Sequence, residues 1–236
     1  MATSAAGPEH ALVRHAFLAG TPAAALARLA AHARWIEAGP EQMLVDFDDV
    51  TTDVYFVVQG SVRVLIRTAN GEQTQILGDF VAGDLVGEMS TIDSAPRSAR
   101  VEALVRTRLC SVPTAAFLDL ALTSQNVGLR LLRLLTARIR TQNRRLLEHT
   151  ALPTRLRLAA ELLRLSRVRP DGTRAVSPPP KQDELAARIG ARRETVSREL
   201  SVLTRAGLLR RSRAAFVLNE PEALRAKVEA GLEQPT

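Results

Sequence analysis

Apolar positions change their spacing several times along this 236-residue chain. The stretch PAAALARLAAHAR, residues 22–34, follows Thr21-Pro22, a cap and first-turn pair, and sets Leu26 and Leu29 on one face, which predicts a short helix. From about Glu41 to Pro113 the texture becomes short runs rich in Val and Ile: VYFVVQG, SVRVLIRT, TQILGDFVAG and VEALVRTRLCSV. Asn70-Gly71 between two such runs is a hairpin signal, because both residues tolerate the left-handed backbone of a tight turn. Several short strands with Gly-marked turns predict an antiparallel barrel or sandwich.

Residues 114–149 return to helical spacing. Leu132, Leu135, Ile139, Gln142 and Leu146 alternate steps of three and four, the seam of a two-stranded coiled coil, while Arg133, Arg138, Arg140, Arg144 and Arg145 keep the other faces polar. A long helix with one apolar stripe needs a partner. A second copy of the chain is the simplest, and packing onto its own barrel is the alternative. Gln142, the polar seam position, would fix register or meet a polar ligand. Pro153 opens a further helix, TRLRLAAELLRLSR, with Leu156, Leu158, Leu162, Leu163 and Leu165 on its buried side. Asp171-Gly172 and Ser177-Pro-Pro-Pro180 are breakers.

After them comes QDELAARIGARRETVSRELSVLTRAGLL. Ala186, then Gly190 four residues on, then Val196 six further, meet the demands of a helix-turn-helix. The small residue admits the second helix, the glycine permits the turn, and the valine packs between the helices. The second helix is expected from Arg192 or Arg193 to about Thr204, with Val196, Leu200 and Leu203 inward. Arg193, Glu194, Ser197 and Arg198 then share the outward face that reads base edges in such motifs. Arginine can bond a guanine edge bidentately and glutamate can accept from a cytosine amine. Arg192 sits at the entry to that helix. LLRRSRAAFVLN reads as two short strands with a basic turn, a wing on which Arg210, Arg211 and Arg213 are candidate phosphate contacts. The alternative for these arginines is a solvated helix face.

Charge sharpens the picture. Residues 1–151 hold 15 Arg, no Lys and 15 acids, whereas residues 152–236 hold 17 Arg plus Lys and 10 acids, so the whole net charge of +7 lies in the last third. A basic module beside a neutral one points to a nucleic-acid contact at that end. Aromatics are only 3% of residues, so Leu, Val and Ala fill most of the core. Cys110 is the single cysteine, which excludes an internal disulfide, a zinc ribbon and a cysteine-held iron–sulfur cluster. His10, His15, His32 and His149 form no metal-spaced or haem-holding set. No apolar run approaches the ~18 residues of a membrane span, and MATSAAGPEH lacks the basic and apolar regions of a secretory signal. The expectation is a cytoplasmic protein without metal, haem or a membrane partner.

One stretch, GEMSTIDSAPRSA from Gly87 to Ala99, places a carboxylate, Glu88, nine residues ahead of Arg97. A surface ion pair, a solvated turn, or a pocket for a small anion bearing sugar hydroxyls would each account for it. The order of barrel, long helix and winged helix-turn-helix, with GEMSTIDSAPRSA in the barrel and RRETVSREL in the last module, resembles the CRP/FNR family of bacterial transcription regulators. The resemblance runs from about Leu26 to Asn219. It implies an α+β protein in three parts: N-terminal helices and a cyclic-nucleotide-binding, jelly-roll-like β-roll over 1–113, a dimerisation helix over 114–150, and a winged helix-turn-helix over 151–236. It implies that Arg97 pairs with the cyclic phosphate of a 3′,5′-cyclic nucleotide, cyclic AMP first and cyclic GMP second. Glu88 would accept from the ribose 2′-hydroxyl, and Ser98 with the backbone around Gly87, Glu88 and Met89 would complete the cradle. On the base side, Gln142 and Asn143 stand where cyclic-AMP-responsive members carry a Thr-Ser pair. Phe47-Asp48-Asp49-Val50 stands where the family shows a Gly-Asp turn, a barrel corner that says little about function. Arg193, Glu194 and Arg198 match the branch that reads TGTGA-type half-sites.

The implied protein is a homodimer on a palindromic double-stranded operator, with RNA polymerase as a further partner. A regulator of the same type with a non-nucleotide ligand, or with ligand-independent DNA binding, is the alternative. An enzyme is not expected, since no triad, metal cluster or phosphate-binding Gly loop appears. A sequence-indifferent chromatin protein would not need Glu194 in its reading helix.

Overall fold

In the computed structural model, residues 8–67 and 74–233 are described, so the Asn70-Gly71 turn lies outside the described residues. The chain forms two units, Met1–Ala137 and Arg138–Thr236.

The first unit opens with α1 (Pro8–Arg14), a 3₁₀ turn (Ala16–Leu18) and α2 (Ala23–Ala31). Eight strands follow: β1 (Arg34–Ala38), β2 (Met43–Val45), β3 (Val54–Gln59), β4 (Ser61–Arg67), β5 (Thr74–Val81), β6 (Leu85–Val86), β7 (Arg100–Ala103) and β8 (Thr107–Val112). A short helix, α3 (Glu88–Asp93), interrupts them between β6 and β7. They make two antiparallel four-stranded sheets, ordered β1-β8-β3-β6 and β2-β7-β4-β5. Strand β3 explains its own sequence. Tyr55 and Val57 face the other sheet, together with Val62, Val101 and Leu109, while Val54 and Phe56 face the helices, with Leu18, Leu29 and Phe117. A strand covered on both faces reads as an unbroken apolar run, VYFVV. Cys110 lies fully buried on the helix side of β8, where loss of water pushes its thiol up to about 11.

Two boundaries differ from the sequence expectation. The helix expected over 22–34, here α2, stops at Ala31 and RWIEA becomes β1, because those five residues pair with β8, Trp35 opposite Cys110. Arg108 of β8 stacks over the Trp35 ring at 3.8 Å. The helical stretch after Pro113 is two helices, α4 (Thr114–Thr123) and α5 (Gln125–Ala151), with Ser124 extended between them. No Pro marks that break. The signal is Gly128, whose missing Cβ would lie 2.8 Å from the carbonyl oxygen of Ala121, so the first turn of α5 crosses the end of α4 at backbone distance.

The second unit holds the rest of α5, then α6 (Thr154–Leu165), β9 (Arg167–Val168), β10 (Arg174–Val176), α7 (Gln182–Ile189), α8 (Arg193–Arg205), β11 (Leu209–Arg211), β12 (Phe216–Leu218) and α9 (Pro221–Glu233). The core joins Leu158, Leu162, Leu185, Val196, Leu200 and Leu209. Each fully buried Leu or Val contributes about 1.5–3 kcal/mol relative to exposure. Asp171-Gly172, expected only as a breaker, turns β9 into β10, and these strands extend the wing to a four-stranded sheet ordered β11-β12-β10-β9. Helix α9 lies against α6 so closely that a Cβ on Gly231 would meet Leu152 and Leu156 side chains at 2.8 Å.

Candidate functional site

Arg97 is the centre of the first unit's site and is only 4% exposed. Its main chain is paired with the Asp48-Asp49 corner: Arg97 N–H donates to Asp49 O at 2.8 Å, and Asp48 N–H donates to Arg97 O at 3.1 Å. Asp48 takes φ +63°, a left-handed turn position that Asp accepts more readily than most residues. The Arg97 guanidinium donates to Gly87 O at 2.9 Å, to Asp53 O at 2.8 Å and to Thr51 Oγ1 at 3.3 Å, and lies 5.5 Å from the Tyr55 ring centroid. Glu88 is not among its partners. Those partners are two carbonyl oxygens and a hydroxyl, none of which carries a formal charge.

Gly87 is required there. It has φ +88°, and a Cβ would stand 2.8 Å from Arg97 Nη1 and 2.9 Å from Asp53 O. Only glycine lets the strand-to-helix turn approach the guanidinium so closely. Glu88 follows, 2% exposed in the first turn of α3, and Thr91 one turn later is fully buried and donates its hydroxyl to Thr52 O. Met89 and Ser98 are exposed. A preformed guanidinium fork suits an oxyanion of phosphate geometry, and a buried carboxylate suits a hydroxyl donor.

The second unit's site is built on α7 and α8. Gly190, at φ +58°, ends α7, and α8 begins at Arg193 after an extended Arg192. Val196, Leu200 and Leu203 bury one face of α8, with Glu199 beside them. The opposite face carries Arg193, Glu194, Ser197 and Arg198, which line a shallow groove of about 430 Å³ together with Gln182 and Ser201. Arg193 lies 3.6 Å from Asp183, and Arg198 lies 3.6 Å from Glu199, with arginine side chains 64% and 70% exposed. The Arg193–Asp183 pair is exposed on both sides and contributes little, so that guanidinium can re-aim toward a ligand at small cost. On the wing Arg210, Arg211 and Arg213 are exposed, and Arg211 sits 5.6 Å from the Phe216 ring centroid.

Two family models match the chain: a cyclic nucleotide-binding domain over residues 35–124 and a Crp-like helix-turn-helix domain over residues 156–227. The cyclic AMP receptor protein of Thermus thermophilus is 35% identical over 164 residues, 69% of this chain and 73% of that protein. The chain belongs to the CRP/FNR family of transcription regulators. A CRP-like cAMP-activated global transcriptional regulator of Mycobacterium tuberculosis is 26% identical over 174 residues, 72% of this chain and 77% of that one. In fold, a CooA mutant from Carboxydothermus hydrogenoformans matches with a TM-score of 0.72 at 19% identity, over 84% of this chain and 88% of that one.

In this CRP/FNR regulator, Gly87, Glu88, Met89, Arg97 and Ser98 all belong to the first unit, while Gln142 and Asn143 are exposed on α5 in the second. Sequence reasoning missed Thr51, Asp53 and Tyr55, which hold the regulator's Arg97, and it dismissed the 47–50 corner that pairs with the Arg97 main chain. No local motif marks them, since they lie far from Arg97 along the chain and meet it only in the fold. It also missed Glu199, 8% exposed, which accepts from Arg155 at 2.7 Å. Among the described residues, no group of three or more His, Cys, Asp or Glu is placed to hold a metal, and no helix is long and apolar enough to cross a membrane.

Proposed function

We propose that this regulator is a cytoplasmic homodimer whose sequence-specific DNA binding is controlled by a cyclic nucleotide, cyclic AMP in first place. The observation that carries this is the buried Arg97 fork beside a Gly87 with no room for a Cβ. The residues fit the ligand. Arg97 would hold the cyclic phosphate, with Ser98 and the backbone from Gly87 to Met89 around it, and Glu88 would accept from the ribose hydroxyl. Gln142 and Asn143 would meet the base. The Thermus and Mycobacterium relatives, both named for cyclic AMP, support the choice of nucleotide. The dimer draws on α5, where Leu132, Ile139 and Leu146 are 63%, 60% and 65% exposed in one stripe, more apolar surface than a lone helix leaves in water.

Residues 1–113 would carry ligand binding, 114–150 dimerisation and 151–236 DNA reading. Arg193, Glu194 and Arg198, with Ser197, would read the half-sites of a TGTGA-like palindrome. Arg192, Arg210, Arg211 and Arg213 would contact phosphates, and RNA polymerase would be met on the DNA. A second reading, DNA binding without a nucleotide, draws on the three oxygen acceptors that already satisfy Arg97. Calorimetric titration with cyclic AMP and with cyclic GMP, on wild type and Arg97→Ala, separates the two. Binding that falls about 10- to 150-fold in the variant, the equivalent of a charge-assisted bond of roughly 1.5–3 kcal/mol, upholds the pocket. Absence of binding to either nucleotide, in a protein that still selects a DNA site, upholds the second reading.

A further inference from the structure

The second unit contains a buried ionic cluster that the DNA-reading face does not use. Glu161, in mid-α6, and Arg188, at the end of α7, have side chains 1% and 2% exposed. Arg188 Nη1 lies 3.5 Å from Glu161 Oε1, and its Nη2 lies 3.0 Å from Glu184 one turn earlier. The other Glu161 oxygen takes Arg164 of its own helix and, at 3.9 Å, Arg145 of α5. Arg164 also reaches Glu148 of α5 at 2.6 Å. Arg144 bridges Glu148, at 3.3 Å, and Glu229 of α9, at 2.6 Å. Carboxylates from α5, α6, α7 and α9 thus meet guanidiniums from α5, α6 and α7.

Stability alone does not account for this arrangement. Glu161 lies between Leu158 and Leu162 on the apolar side of α6, where another leucine would pack without desolvating a charge. Buried ion pairs are often no better for stability than apolar residues of similar volume. What charge pairing adds is a single setting. An apolar contact tolerates a helix that slides or rotates slightly, whereas a buried carboxylate that loses its guanidinium has no water to turn to.

We infer that Glu161 and Arg188 are positioning residues for DNA reading. They tie the last turns of α5 to α7, and α7 runs through the Gly190 turn into the reading helix α8. The direction of α8 therefore follows that of the end of α5. This rests on the dimer proposed above, in which the two α5 helices pair and the cluster would set the separation and angle of the two reading helices.

The test uses the full-length protein and a duplex selected by the wild type from a random library. Affinity is measured for that duplex and for versions whose centre is lengthened by one and by two base pairs. Wild type is expected to lose about tenfold or more on the lengthened sites, as for a misread base pair. Glu161→Gln is expected to bind all of them within a few-fold of each other while keeping the wild-type order of preference among half-site sequences. The paired variant Glu161→Leu/Arg188→Leu removes both charges together, which guards against a fold lost to one unpaired charge, and the same flattening is expected. Wild-type spacing discrimination in either folded variant overturns the inference. A wild type that selects only single, unpaired half-sites overturns the dimer reading, and this proposal with it, before any variant is made.

Discussion

Gly87→Ala tests the proposed ligand pocket without removing a charged group. The new methyl would stand 2.8 Å from Arg97 Nη1 and 2.9 Å from the carbonyl oxygen of Asp53, on a backbone at φ +88°. A left-handed backbone costs a residue with a Cβ about 1–2 kcal/mol by itself. Gly20→Ala is the control for that strain, since Gly20 has φ +74° and nothing within 4 Å of its Cβ position. Asp53 O lies on the main chain directly ahead of β3 and already accepts from Arg97 Nη2, so the Arg97 fork is expected to give way. Its bonds to Gly87 O and Asp53 O then lengthen, and the phosphate loses its preformed partner. Both variants are expected to lose about 1–2 kcal/mol in urea unfolding, with Gly87→Ala the worse. Only Gly87→Ala should also weaken cyclic AMP binding, by about 10- to 150-fold for a lost charge-assisted bond. Calorimetry on the two folded variants reads this directly. Equal nucleotide affinity in Gly87→Ala and Gly20→Ala would refute the placement of the phosphate at Arg97.

His15 is expected to make the first unit acid-sensitive. Burial holds its pKa below the ordinary value despite the Asp84 carbonyl 3.1 Å from Nε2, and its ring meets Phe56 edge-on at 4.9 Å. The unfolded chain, with a pKa of about 6.5, therefore takes up the proton first as pH falls. The stability that neutral His15 supports is present above about pH 6.5 and lost below it as the folded-state pKa is approached. His15→Gln is expected to be less stable near neutrality but to show a shallower decline between about pH 7 and pH 5 in urea midpoints. An unchanged slope would count against the assignment. In the DNA module, Arg193→Ala is expected to cost about 1–3 kcal/mol and to relax preference at one base pair, whereas Arg213→Ala should weaken all duplexes alike and lower the salt slope by about one. A changed base preference in Arg213→Ala, measured by competition among duplexes, would remove that residue from the phosphate contacts.

The parts of the molecule that show in its sequence are those whose causes are local. Ala186, Gly190 and Val196 shape the helix-turn-helix through spacing alone, and α8 starts at Arg193 as the spacing predicts. Strand β3 declares itself by being apolar on both faces. What stays hidden depends on partners distant along the chain. RWIEA could end a helix until β8 arrives to pair with it. Thr51 and Asp53 look like an ordinary polar turn until the sheet brings Arg97 beside them, 46 and 44 residues later. The ionic cluster is hidden for another reason: arginines and glutamates on an amphipathic helix are read as solvated, and only packing reveals that Glu161 and Arg188 are inside.

Cys110 gives the molecule a built-in clock. A thiol that is fully buried and pushed up to about 11 presents almost no thiolate to an alkylating reagent. It becomes reactive only when the β8 core opens, and the chain has no other cysteine to confuse the signal. The rate of labelling therefore times the opening of the β8 core, in the unit that holds Arg97.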